Sequence, residues 1–145
     1  MREPVLYLIM RNDLPSLNPG KLAAQAAHCA NAFVASKQWS KSPLLKQWQN
    51  QSKQGFGTTI VLGATRGFIL KNINKSCHVY DDTYPCEIPV EIAMFMIESN
   101  SIQYGPEVGI TWSADRAIFL RRELVGAFDF GGEQPEYLKS LSLYP

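Results

Sequence analysis

Close to its start the chain has six consecutive apolar residues, Val5-Leu6-Tyr7-Leu8-Ile9-Met10, closed by the polar Arg11-Asn12-Asp13. The length of the run and its β-branched and aromatic content predict a strand buried on both faces. Residues 11–20 hold two prolines, two asparagines and a glycine, the composition of a loop. From Lys21 to about Ser36 the chain is rich in alanine and free of glycine and proline, which predicts a helix. Leu22, Ala26, Ala30 and Phe33 fall near one stripe of it, small enough on average to bring it close to a sheet. Ser42-Pro43 followed by Leu44-Leu45-Lys46-Gln47-Trp48 predicts a second helix, with serine as N-cap and proline in the first position.

Beyond a turn flanked by Gly55 and Gly57, Thr58–Gly63 predicts a second strand and Gly67 to about Asn74 a short helix. Cys77–Tyr80 reads as a third strand, short and half polar, and Asp81–Pro85 as the loop at its end. Ile88–Ile97 fits either a helix with a methionine-containing apolar face or a pair of strands. Val108–Trp112 predicts a fourth strand. Ser113-Ala114-Asp115 then caps a helix over Arg116–Val125. The last stretch, Gly131–Pro145, is a polar tail in which Leu138, Leu141, Leu143 and Tyr144 offer docking side chains. Strands alternating with helices predict an α/β fold: one domain over residues 1–130 and a tail over 131–145. Its mixed sheet would have about four strands, with helices on both faces. In such sheets sites form at the carboxyl ends of strands, here the loop from Arg11 to Lys21 and the loop from Asp81.

Composition narrows the class. With 46% hydrophobic and 19% charged residues in 145, the chain is neither disordered nor a membrane protein. Its longest apolar runs are far too short to span a bilayer. The start, Met1-Arg2-Glu3-Pro4, lacks a signal peptide's apolar segment, so a cytoplasmic protein is expected. Cys29, Cys77 and Cys86 form no CxxC pair and are expected reduced. With two histidines they make a poor zinc set, so no metal and no cofactor are expected. Net charge is only +1, but it is unevenly spread. Residues 1–80 carry ten Lys or Arg and two Asp or Glu, net +8; residues 81–145 carry four and eleven, net −7. A basic face could meet phosphates, although halves in sequence need not be halves in space.

Lys21, Gln25 and His28 stand four and three residues apart, which groups them on one helix face. The helix dipole disfavours a lysine cation in the first turn by a few tenths to about 1 kcal/mol. A lysine placed there serves an anion, either a developing oxyanion or a phosphate. Gln25 both donates and accepts, which suits orienting a water or a carbonyl. Each residue also has a plainer reading: Lys21 solvated, Gln25 on the surface, His28 packed and hydrogen-bonded, Asp13 closing an Asx-turn, Cys29 filling core. Trp39 and Trp48 among Lys37, Lys41, Lys46 and Lys53 form a mixture that can meet RNA. The alternative is a core Trp48 beside solvated lysines.

Leu8-Ile9-Met10-Arg11-Asn12-Asp13-Leu14, a short loop, then Gly20-Lys21-Leu22-Ala23-Ala24-Gln25-Ala26-Ala27-His28-Cys29-Ala30 resembles the N-terminal signature of type II peptidyl-tRNA hydrolases. Leu45-Lys46-Gln47-Trp48 and the following strand keep the family's order. Val79-Tyr80-Asp81 is similar to the strand end bearing that family's active-site aspartate, and Gly109–Phe130 to its closing strand, helix and strand. The resemblance spans about residues 5–130. It implies hydrolysis of the ester joining peptide to tRNA, without metal or cofactor. Lys21, Gln25, His28, Asp81 and Thr83 would form the catalytic set, and Arg11, Lys37, Lys41 and Lys46 the RNA contacts. It also implies tRNA as partner and a homodimer. The family's glycine, arginine, threonine and glutamine stretch after the aspartate is replaced here by Asp82-Thr83-Tyr84-Pro85-Cys86 and some twenty residues without counterpart. Two other readings therefore stand: a non-catalytic module binding RNA, a nucleotide or a protein, and a small enzyme acting on another ester or amide.

Overall fold

The computed structural model describes residues 3–14, 17–99, 110–113 and 115–144. The fold is mixed α/β. Strand β1 (Val5–Arg11) leads into helix α1 (Pro19–Ala35) and helix α2 (Pro43–Gln49). Strand β2 (Thr59–Ala64), helix α3 (Arg66–Asn72) and a 3-10 turn over Lys75–Cys77 follow. Then come β3 (His78–Pro89), α4 (Val90–Glu98), β4 (Ile110–Ser113) and β5 (Arg116–Gly131), with a last 3-10 turn over Glu136–Ser140. The sheet runs β2-β1-β5-β3, with β4 paired to β5. It is mixed because β1 is parallel to β2 and antiparallel to β5.

Two compact units emerge, Met1–Val79 with Leu124–Pro145, and Tyr80–Glu123. The division falls inside β3 and inside β5. In the first unit β1 is covered on both sides, as its unbroken apolar run requires. Tyr7 and Ile9 point to one face, where they meet Leu62, Ala127, Leu138 and the Ile69 and Ile73 side chains following β2. Leu8 and Leu6 lie opposite Phe128 and Phe130 on the other face. There Phe33 of α1 packs at ring distances of 5.7 and 4.6 Å from Phe128 and Phe130, and 5.6 Å from Trp48 of α2. Trp48 is core, and its indole N–H donates to the Thr58 carbonyl at 2.8 Å. The second unit has its own small core, Ala93 of α4 against Ala117 and Phe119 of β5.

Two expectations are overturned. Residues 116–125 are not a helix but the first part of the sixteen-residue β5, and the Asp115 carbonyl instead accepts the N–H of Val90, the first residue of α4, at 3.1 Å. Buried Ala117 and Phe119 alternate with half-buried Ile118 and exposed Leu120, a period of two that β4 selects by pairing antiparallel. Residues 81–85 are not a loop: β3 continues through them for twelve residues with Tyr84 fully buried. Proline is tolerated in β3 because it is an edge strand of the sheet. The helix alternative holds over the ambiguous stretch, as α4. The expected strand from Val108 falls partly outside the described residues. The tail packs on the first unit: Leu138 is buried, the Gly63 N–H donates to Ser142 O at 3.0 Å, and the Tyr144 N–H to Val61 O at 3.0 Å.

Candidate functional site

The carboxyl end of β1 and the head of α1 make the most built part of the first unit. Asn18, in extended conformation, accepts the Lys21 N–H on its side-chain oxygen at 2.9 Å, and Pro19 occupies the first helical position. Cap and proline fix where α1 begins, and so fix Lys21 as its third residue. From there a stripe at every fourth residue runs down the helix: Lys21 half-buried, then Gln25, Cys29 and Phe33 buried. Gln25 is only 4% exposed, a polar side chain inside an otherwise apolar stripe. The buried stripe is thus Gln25-Cys29-Phe33, with Leu22, Ala26 and Ala30 half-buried at its margin. His28 lies outside it and is exposed, not packed. Burial pushes the Cys29 thiol up to about 12, so this cysteine is inert at neutral pH.

The loop entering α1 is held from below. Arg11, expected at an RNA surface, is instead buried. Its Nε donates to Asp13 Oδ1 at 2.8 Å and its Nη1 to the Leu124 carbonyl at 3.2 Å. The second Asp13 oxygen accepts the Arg66 N–H at 3.1 Å, and the Asn12 N–H donates to Ala64 O at 2.9 Å. The loops after β1 and β2 are therefore stitched together. Asp13 ties the two loops together. Burial raises its pKa, but the Arg11 hydrogen bond, the Arg66 N–H and the Arg11 charge outweigh burial and hold it below its ordinary value. Sequence reasoning missed this tie and the Asn18 cap. The Asn18-Pro19 pair was the available signal for the cap.

Comparison with protein families matches residues 4–79, just over half of the chain, to Peptidyl-tRNA hydrolase PTH2. The chain belongs to the type II peptidyl-tRNA hydrolase family. No curated protein and no solved structure matches it. The matched segment contains Lys21, Gln25, His28, Arg11, Lys37, Lys41 and Lys46, and it ends at Val79, the last residue of the first unit before the chain enters the second. Asp81 and Thr83 lie beyond the family match and in the second unit. There Asp81 Oδ1 accepts from the Thr83 N–H at 2.8 Å and its hydroxyl at 3.2 Å. Asp81 sits within β3 and not at a strand end.

The hydrolase-type segment has an unusual charge pattern. From residue 14 to residue 80 there is no Asp or Glu, while eight Lys or Arg occur. Lys41 and Lys46 line one hollow of about 390 Å³ at the corner between α1 and α2, with Ser40, Ser42 and Gln49. Lys37 is exposed just after α1, and half-buried Trp39 packs on Phe130 at 5.2 Å. Charge follows the two units: eleven Lys or Arg against five Asp or Glu in the first, net +6, and three against eight in the second, net −5. Among the described residues no group of His, Cys, Asp and Glu side chains is placed to hold a metal ion.

Proposed function

We propose that this protein hydrolyses the ester of peptidyl-tRNA, with the head of α1 as the reacting end of the site. The observation that carries this reading is the stripe led by Lys21 and Gln25 inside the family match, at the carboxyl end of a parallel strand. Water adds to the acyl carbon, the bond to the ribose oxygen breaks, and that oxygen leaves with a proton. Lys21 offers a cation to the oxyanion that develops on the way. Gln25, locked by burial, orients the water or the carbonyl. Exposed His28, three residues further along, meets the peptide or terminal nucleotide. Lys37, Lys41 and Lys46 hold the RNA backbone; Arg11 supports the loop and makes no phosphate contact.

The test is release of tRNA from an N-acetylated aminoacyl-tRNA under single turnover. Lys21→Ala is expected to slow it by at least about 100-fold. Asp81→Asn and Thr83→Ala, assayed separately, decide whether the roles implied by the family resemblance carry over. A folded wild-type protein that releases nothing overturns the hydrolase reading. One observation favours a binding module in that event: the family match stops at Val79, before both Asp81 and Thr83. Tight RNA binding without turnover is what that module would give.

A further inference from the structure

The second unit carries a feature that the hydrolase reading does not use. Helix α4 is apolar nearly all round. Ala93, Met96 and Ile97 face the unit's core. The opposite arc, at helical spacing, holds Glu91, Ile92, Met94, Phe95 and Glu98, every one exposed. Phe95 is 68%, Ile92 50% and Met94 46% exposed. A helix of this kind is normally covered on both sides. Trp112 of β4, 42% exposed, pairs with Ala117 and so lies on the sheet face that carries α4. At the foot of the helix an open hollow of about 440 Å³ is lined by Pro89, Val90, Glu91, Asp115 and Arg116. It joins the exposed arc through Glu91.

Charge selects the occupant. The unit is net −5, and the arc itself carries two glutamates and no cation. RNA and anionic lipid are repelled by such a surface, and so is a second copy docking through the same arc. A basic segment with an apolar stripe meets both features: its leucine-like side chains cover Ile92, Met94 and Phe95, and a lysine or arginine enters the hollow beside Glu91 and Asp115, whose own cation, Arg116, faces Glu87 at 3.9 Å. Exposed methionine suits a face that adapts to several apolar shapes. We infer that the outer face of α4 is a docking surface for a basic amphipathic helical segment of a partner protein. This stands apart from the ester chemistry, because the whole unit lies outside the family match.

The probe is a short labelled peptide of lysine and leucine in amphipathic helical order, titrated into the full chain by fluorescence anisotropy. Two control peptides accompany it, one with glutamate for lysine and one with serine for leucine. The lysine–leucine peptide is expected to bind, and both controls to bind at least about tenfold more weakly. Phe95→Ser and Glu91→Lys/Glu98→Lys change only exposed positions, and each is expected to weaken binding by about tenfold or more with an unchanged circular-dichroism spectrum. Equal binding to either control, or to the variants, overturns the inference. So does a wild-type dimer in sedimentation velocity that Phe95→Ser dissolves while no peptide binds, since the occupant is then a second copy.

Discussion

Arg11 and Asp13, two residues apart at the end of β1, form an ion pair at 2.8 Å in which the arginine is buried and the aspartate half open to water. Through its other oxygen Asp13 holds the first residue of α3. The pair thus links the loop that leads to Lys21 with the neighbouring strand-to-helix junction. Asp13→Ala takes from the buried guanidinium the carboxylate to which its Nε donates. The expected loss is about 2 kcal/mol, read as a lower urea midpoint, because a charge-assisted hydrogen bond of a buried group is lost.

The same pair sets a pH dependence. The folded-state carboxyl of Asp13 titrates below its ordinary 3.8. The stabilisation is therefore complete above that value and is lost as pH falls through the lower, folded-state one. Asp13→Asn lacks this proton linkage. Its stability deficit at neutral pH is expected to shrink as wild type is acidified below about pH 3.8, in urea unfolding series at stepped pH. A deficit that stays constant to the lowest pH would show that the pair has no part in acid stability.

The hydrolase-like half was legible because its signals are local. The apolar run of β1, the alanines of α1 and the Ser42-Pro43 cap each specify their element within a few residues. Lys21 and Gln25 could be grouped by helical spacing alone. Burial could not: whether Gln25 faces water depends on how α1 rolls onto the sheet, which Phe33 decides against Phe128 and Phe130. Arg11 was misjudged for the same reason, since its partner Leu124 lies 113 residues away. In β5, Arg116–Val125 has the composition of a helix, and pairing within the sheet, with β4 against Arg116–Phe119, imposes the two-residue period. Asp81–Pro85 holds turn-forming residues, yet Tyr84 is drawn into a core.

Two glycines should respond oppositely to alanine. At Gly57 a Cβ would run into the Trp48 carbonyl and ring, and would lie 2.5 Å from Gln51 Oε1. Gln51 itself ties Thr58 and Pro4 together. Gly57→Ala is expected to cost about 2 kcal/mol by overpacking. Gly67, in the first turn of α3, has nothing within 4 Å of such a Cβ. Gly67→Ala is expected to stabilise by about 0.5 kcal/mol, as the unfolded chain loses freedom. Thermal melts of both variants check the two signs.

Phe33 gathers four rings, being in contact with Trp48, Phe128 and Phe130 and, through Phe130, with Trp39. It is also the end of the stripe that begins at Lys21. Phe33→Ala is expected to cost about 4 kcal/mol. Phe33→Leu should cost about half as much, and Val34→Ala, at the exposed neighbour, within about 0.5 kcal/mol. Because the helix is positioned by this contact, Phe33→Leu should also slow any ester hydrolysis while the protein stays folded. Unchanged turnover would mean that α1 is held by its N-terminal cap alone.

The tail supplies the last prediction. Leu138 is fully buried against Tyr7, Ile9 and Ile69, and Ser142 and Tyr144 bond to the exposed side of β2. Without that pairing β2 would present an open edge, a template for another strand. Leu138→Ala removes core volume from a face that β1 shares, and is expected to cost about 3 kcal/mol. Removing residues 132–145 takes away both the leucine and the edge cover. That truncation is expected to lower the melting temperature further and, unlike Leu138→Ala, to cause concentration-dependent association in light scattering. If the truncated chain scatters light as the full chain does and loses no more stability than the point variant, the edge pairing contributes nothing and only the leucine matters.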